Sequence, residues 1–233
     1  MGFGFRCPEY PEPERSHGVG VVIYRLYEWI LLRGIGILPA HICFMITGDD
    51  LRNAPEKIAL VAQWCGDVNR YLERHGLNDS TVNRGIRGVT VHVSTPNHEE
   101  ITPFLHSIRE VSRHATLILH IGEHQEIAGE GITFEVAVGK SGRDEIVSCI
   151  RIMAGEGLMP EEVNEEAFER CLIFRYTPDL VIKTGGYHLT DFLIWQSVYS
   201  ELFFSDVNWK LFRKIDFLRA LRDYQARVRR FGT

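Results

Sequence analysis

Pro178-Asp179-Leu180-Val181-Ile182-Lys183-Thr184-Gly185-Gly186, followed by Asp191-Phe192-Leu193-Ile194-Trp195-Gln196-Ser197-Val198-Tyr199-Ser200-Glu201-Leu202-Phe203-Phe204, is the stretch that decides the fold. The first run reads as a strand buried on both faces, closed by a glycine pair that turns the chain. The second reads as an amphipathic helix over about 191–202 that ends near one acid, Glu201. A buried strand, a glycine turn and a helix together make the repeating unit of a parallel sheet.

The same alternation extends outward through the chain. Ile42-Cys43-Phe44-Met45-Ile46, bounded by Pro39 and Gly48, has the length and apolar continuity of another buried strand. Strands are expected at 88–93, 116–121 and 132–138, and helices at 19–32, 55–74, 99–113, 142–154, near Pro160 and at 209–229. The expected architecture is α/β: a single open, mostly parallel, six-stranded sheet flanked by helices. Residues 1–18, with Pro8, Pro11 and Pro13 among charges, read as a flexible leader, and 19–233 as one domain.

The chain has 233 residues, 45% of them hydrophobic, enough for one sizeable core. A net charge of −5 with mixed signs argues against nucleic acid as a partner, because phosphate backbones demand a basic face. Five cysteines at 7, 43, 65, 149 and 171, with no Cys-x-x-Cys pair, read as reduced, mostly buried thiols. The apolar run 19–32 is interrupted by Arg25 and Glu28 and falls short of the ~20 apolar residues a span needs. Without a basic leader or cleavage site it is also a poor signal peptide, so a cytoplasmic location is expected. Its stripe of Val21, Tyr24, Leu26, Trp29 and Leu32 suits docking on the domain itself, on a partner or peripherally on a lipid surface.

Three short motifs invite a chemical reading. His120-Ile121-Gly122-Glu123-His124 matches the H-x-x-E-H pattern of zinc peptidases, but that site needs both histidines on one helix face, and here they straddle a strand end and a glycine. Gly139-Lys140-Ser141 resembles the end of a P-loop, yet Phe134 stands where the earlier glycine belongs. Gly139, Ser141, Gly142 and Arg143 lie at a strand-to-helix turn, and two readings stand: a phosphate cradle, or a plain turn capped by Ser141. Asp49 and Asp50 likewise read either as paired carboxylates for magnesium or as a solvated loop with a helix cap.

Several segments resemble the cis-prenyl diphosphate synthase family: Pro39 to Gly48 its first strand, 88–94 its second, Gly139 to Ile146 its Gly-Gly-Arg-Asp-Glu-Ile turn in altered form, and Pro178 to Phe204 and Phe212 to Gly232 its C-terminal third. The resemblance implies condensation of isopentenyl diphosphate onto allylic diphosphates, giving polyprenyl diphosphate for a glycosyl carrier lipid. It also implies Mg2+, with Asp49, Asp50 and Glu201 as candidate ligands and Lys183 beside the substrate phosphates.

The chain departs from the family at Thr47, where the family's first strand ends in an aspartate, and after Arg52, where an arginine-rich loop is missing. Pro39 to Thr47 and Pro178 to Lys183 are most similar to the Nogo-B-receptor-type subunit of heteromeric enzymes. That likeness implies a non-catalytic accessory subunit beside a catalytic homologue that holds the Mg2+, with no catalytic residue in the chain's own site. Arg230 and Gly232 would then reach the partner's diphosphate across the interface, the guanidinium binding bidentately. A divergent self-sufficient prenyltransferase, and a prenyl- or phosphate-binding module without catalysis, are the alternatives.

Overall fold

The computed structural model of the protein describes residues 19–76, 85–122, 124–139, 142–172, 176–186, 193 and 195–231. Its elements in chain order are α1 (Val19–Arg33), β1 (His41–Thr47), α2 (Gly48–Asn53), α3 (Lys57–Arg74), β2 (Gly88–Ser94), α4 (Leu105–Arg109) and β3 (Thr116–Ile121). There follow β4 (His124–Ala128), β5 (Thr133–Val138), α5 (Gly142–Gly155), α6 (Glu165–Cys171), β6 (Leu180–Thr184), β7 (Glu201–Ser205) and α7 (Lys214–Phe231). The strands form one sheet in the order β4-β3-β5-β2-β1-β6-β7. Every pairing is parallel except that of β4 with β3.

The α/β class and the mostly parallel sheet are as expected, with seven strands rather than six. The strands that the sequence reading did not place are β4 and β7; in β4, His124, Gln125 and Ile127 are exposed. A short polar edge strand buries too little to leave an apolar signature. The expected helix over 191–202 also differs. Residues 195–199 form turns, and Glu201 opens β7, which pairs with β6 from Leu180↔Glu201 to Thr184↔Ser205. Along β7, Phe203 packs on the main core and Leu202 on the opposite sheet face. The expected helix over 99–113 is broken into a 3-10 segment at His98–Phe104 holding Pro103, then α4, then a 3-10 turn at Glu110–Arg113. At the C-terminus, Trp209–Leu211 is a 3-10 turn, and α7 begins only at Lys214.

Strand alternation sorts the core into two faces. Ile42, Phe44 and Ile46 of β1, Val89, Val91 and Val93 of β2, and Phe134, Val136 and Val138 of β5 enter the main core, which α1, α2, α3 and α7 also line. The aromatic centre is Phe44, Trp64, Trp209, Phe212 and Phe217, with ring centroids 6.1–6.4 Å apart. Trp209 is fully buried, and its indole Nε1–H donates to the carbonyl of Ala54 at 3.1 Å, tying the last third of the chain to the end of α2. On the other face Cys43, Met45, Ala137, Val181 and Leu193 form a smaller cluster. Cys43, Cys65 and Cys149 are buried free thiols and Cys171 is a half-buried one, while Cys7 lies outside the described residues. Burial and the nearby Glu135 push the Cys43 thiol up to about 12.

α7 runs antiparallel to the strands. It starts beside the residues that follow β1, where Lys57 Nζ donates to the Phe212 carbonyl, and ends at the opposite edge. There Gln225 accepts from the N–H groups of Gly36 and Ile37 and donates to the Gly34 carbonyl, and Arg227 pairs with Glu201. In α1, Tyr24, Tyr27, Leu31 and Leu32 pack inward, whereas Val22, Ile23, Leu26, Trp29 and Ile30 are exposed. The stripe expected from the sequence is thus divided between the two sides of the helix.

Candidate functional site

The chain passes from β1 to β2 on one side of the sheet and later from β5 to β6 on the other, so the winding reverses between β1 and β6. Open α/β sheets leave a crevice at such a reversal, outside the carboxyl ends of the strands. In this chain the crevice is framed by the end of β1 with α2 and by the end of β6 with Gly185 and Gly186. These glycines have φ values of 77° and 121°, a region that side chains avoid, so the turn depends on their lack of a Cβ. The Gly185 N–H donates to the carbonyls of Ser205 and Val207, which fixes the turn against the end of β7.

Lys183 lies at this edge almost fully buried, its Nζ donating to the Thr184 carbonyl at 3.1 Å. The Thr184 hydroxyl is buried and makes no hydrogen bond among the described residues. A buried hydroxyl is ordinarily satisfied, and by strand alternation this one lies on the sheet face of Ile182 while Lys183 lies on the opposite face, both at the carboxyl end of β6. On the β1 side, Thr47 and Asp50 form a capping box. The Asp50 carboxylate accepts from the Thr47 N–H at 3.0 Å and from its hydroxyl at 2.9 Å, while Thr47 Oγ1 accepts from the Asp50 N–H at 3.1 Å. Asp49 is exposed and ion-paired with Arg52, which also holds Glu100. Asp50 therefore serves as the helix cap, one of the two readings of Asp49-Asp50.

The strand-to-helix turn lies further along the same edge. Gly139 has φ 97°, donates its N–H to Val93, and a Cβ there would sit 3.2 Å from the His98 Cβ. Gly142 is buried at the start of α5 and Arg143 is exposed; Ser141 lies outside the described residues. Asp144 and Glu145 occupy the first turn of α5, so the positive end of its dipole already faces carboxylates, and buried Glu145 accepts from Gln196 at 2.9 Å. The register Lys183↔Met45↔His92↔Ala137 separates Lys183 from the Gly139 strand by three strand spacings, roughly 14 Å. Lys183 and Gly139 therefore border two positions along one edge and do not clamp a single phosphate.

Glu201 stands elsewhere. Its register with Leu180 puts it at the amino edge of the sheet, about 20 Å along the strands from Asp49 and Asp50. One chain cannot bring these acids onto one metal ion, which removes the pairing of Asp49 or Asp50 with Glu201 inside a single subunit. Among the described residues, no three of the His, Cys, Asp and Glu side chains converge as a metal site. α7 ends at that same amino edge, so Arg230 is carried on backbone remote from the chain's own crevice; its side chain and Gly232 lie outside what is described. His120 and His124 sit on paired antiparallel strands, with His120 Nε2 2.8 Å from the buried Glu135 carboxylate, while Glu123 is outside the described residues.

Comparison with known proteins identifies the family. The model of a family described as "Putative undecaprenyl diphosphate synthase" matches residues 101–232. The isoprenyl transferase of Thermus thermophilus is 34% identical over 236 residues, covering 94% of this chain and 81% of that one. The chain belongs to the cis-prenyltransferase (undecaprenyl diphosphate synthase) family. Picrophilus torridus has a relative named tritrans,polycis-undecaprenyl-diphosphate synthase (geranylgeranyl-diphosphate specific), 46% identical over 107 residues, 42% of each chain. A crystal structure of a probable undecaprenyl diphosphate synthase from Campylobacter jejuni superposes with a TM-score of 0.57 at 19% identity, over 84% of this chain and 99% of that one, a likeness of fold. These cis-prenyltransferase relatives carry enzyme names. None is named as a non-catalytic subunit, and the comparisons add nothing to the Nogo-B-receptor-type expectation.

Two features of the site were absent from the sequence reading. The Thr184 hydroxyl carried no signal, because its importance rests on strand order. The Gly185-Gly186 pair was visible as a turn, and only the winding reversal makes it the wall of a crevice.

Proposed function

We propose that the chain is a prenyl diphosphate synthase that condenses isopentenyl diphosphate with an allylic diphosphate at the crevice between the carboxyl ends of β1 and β6. In that reaction the allylic carbon–oxygen bond breaks and diphosphate leaves with the electron pair. The terminal alkene carbon of isopentenyl diphosphate bonds to the freed carbon, its tertiary alkene carbon takes up the positive charge, and a proton departs from the methylene next to that tertiary carbon to form the new double bond. The observation that carries the reading is the Lys183-Thr184-Gly185-Gly186 turn at the winding reversal: a largely buried cation, an unpartnered hydroxyl and glycine backbone at one edge. Enzyme names on relatives aligned over nearly the whole chain support catalysis by the chain itself. The Lys183 charge would offset diphosphate charge, and its burial would strengthen that attraction over the same pair in water.

A second reading, the accessory subunit, has its own observation. The Thr47 hydroxyl and the Asp50 carboxylate bond each other, Asp49 is held by Arg52, and the α7 end that bears Arg230 lies at the far edge of the sheet. In that case Arg230 and Gly232 would serve the crevice of a catalytic homologue, and that partner would hold the Mg2+. The described carboxylates do not assemble a metal site of their own, so no step of the proposal runs through the ion.

Incorporation of isopentenyl diphosphate into chain-extended product decides between them. It is measured for this chain alone, for a family homologue from the same source, and for the mixture, each with wild type, Lys183→Gln and Arg230→Ala. Turnover by the chain alone, lost in Lys183→Gln, is the expected result. Turnover only in the mixture and reduced by Arg230→Ala would transfer the proposal to the subunit reading, and no turnover in any arm would refute both.

A further inference from the structure

The outer face of α1 is exposed along its length. Val22, Ile23, Leu26, Trp29 and Ile30 are between 47% and 65% exposed, at i, i+4 and i+7/i+8 spacings that gather them on one side. Contiguous apolar surface of this kind on a folded protein marks an interaction face. The opposite side, through Tyr24, Tyr27, Leu31 and Leu32, is packed on the core, so the helix is anchored and its outer stripe is free to meet something else.

Charge indicates what. The helix has one acid, Glu28, and it is turned toward the protein and paired with Lys214 at 2.7 Å. The charged residues on the outer side are arginines: exposed Arg25, and Arg33, whose guanidinium lies 5.2 Å from the centre of the Trp29 ring. Arg222 of α7 adds a third, its guanidinium beside Gly34 at the end of α1. Among the described residues of α1, the charges on the outer side beside the apolar stripe are arginines, in a chain whose net charge is −5. Apolar side chains with a tryptophan at their margin and arginines at the rim match the boundary between acyl chains and anionic headgroups. No described helix is long and apolar enough to cross a membrane, so the contact is one of lying on the surface.

We propose that the outer face of α1 docks the protein on an anionic lipid bilayer, with Leu26, Trp29 and Ile30 entering the acyl boundary and Arg25, Arg33 and Arg222 meeting acidic headgroups. The inference rests on α1 and the neighbouring Arg222 of α7 and stands or falls independently of the prenyl-transfer reading.

The test is flotation of the full chain with vesicles of phosphatidylcholine, or of phosphatidylcholine with about one third phosphatidylglycerol, alongside size-exclusion chromatography and thermal melts. Wild type is expected to float with the anionic vesicles and to be released by high salt. Leu26→Glu/Ile30→Glu, at exposed positions that leave the melting transition in place, is expected to lower partitioning by at least about tenfold. Arg25→Gln/Arg33→Gln is expected to weaken binding only to the anionic vesicles. Failure of wild type to float would overturn the proposal. If the chain were a dimer that Leu26→Glu/Ile30→Glu makes monomeric, the occupant would be a second copy. If only a version lacking residues 1–18 floated, the leader would be the occupant.

Discussion

His41 offers the sharpest quantitative test of the fold. Its ring is buried where β1 begins, over the face of Gly88 and stacked on Tyr176 at a centroid distance of 5.0 Å, and its Nε2 shares a 2.7 Å hydrogen bond with the Thr90 hydroxyl. Burial lowers its pKa to about 4; the nearby Asp179 opposes the shift and Arg87 reinforces it. The unfolded chain, with a histidine near its ordinary value of about 6.5, then binds the proton more readily than the native one. Stability from this residue is therefore complete above about pH 6.5 and is lost as pH falls toward 4. Linkage puts the loss between pH 7 and pH 5 at about 2 kcal/mol, close to 1.4 kcal/mol for each unit inside the window. Urea unfolding of wild type and His41→Gln at both pH values would read it. The variant is expected to be less stable at pH 7 but to lack about 2 kcal/mol of the wild type's pH dependence. Parallel pH dependences, or an NMR titration of His41 near 6.5, would refute the reasoning.

Other outcomes follow from packing and capping. Gly88→Ala places a methyl where the His41 ring lies, so denaturant melts should show a loss of about 1–3 kcal/mol that shrinks in a His41→Ala background; a penalty independent of residue 41 would place the strain elsewhere. Asp50→Ala removes the acceptor for the Thr47 N–H and hydroxyl and should cost about 1 kcal/mol; an unchanged denaturation midpoint would count against the capping box. Trp209→Phe removes the indole donor from the Ala54 carbonyl, which keeps only the Lys57 N–H at 3.3 Å, and puts a smaller ring in a fully buried site; it is expected to destabilise by about 1–3 kcal/mol in a calorimetric scan, and an unchanged transition would count against the tie.

The central strands were legible because burial on both faces forces continuous apolar runs. Ile42 to Ile46 and Leu180 to Lys183 have no other sensible environment. α3 was legible for the complementary reason: Ile58, Val61, Cys65, Val68 and Leu72 keep helical spacing under a polar outer face. β7 was not, because Leu202, Phe203 and Phe204 extend an apolar stretch whose spacing also suits a helix, and only pairing with β6 selects the strand. The cap formed by Asp50 could be named from residue types alone, being local. The remoteness of Glu201 from Asp49 could not, since it depends on which end of β6 meets residue 201. The crevice itself is a property of strand order, so residues as plain as Thr184 acquire meaning only after the sheet is assembled.

The central place of β1 has a consequence for how the chain is made. One of its edges pairs with β2 soon after α3, but the other waits for β6, and its opening contact, from the His41 N–H to the Asp179 carboxylate, spans 138 residues. At a synthesis rate of about 5–20 residues per second, this apolar strand emerges on the order of ten seconds before its second partner. For that interval the nascent chain presents an unpaired Ile-Cys-Phe-Met-Ile edge to its neighbours on the polysome. Yield in the cell should therefore depend on ribosome pace and on holdase chaperones more steeply than the equilibrium stability of the finished protein suggests.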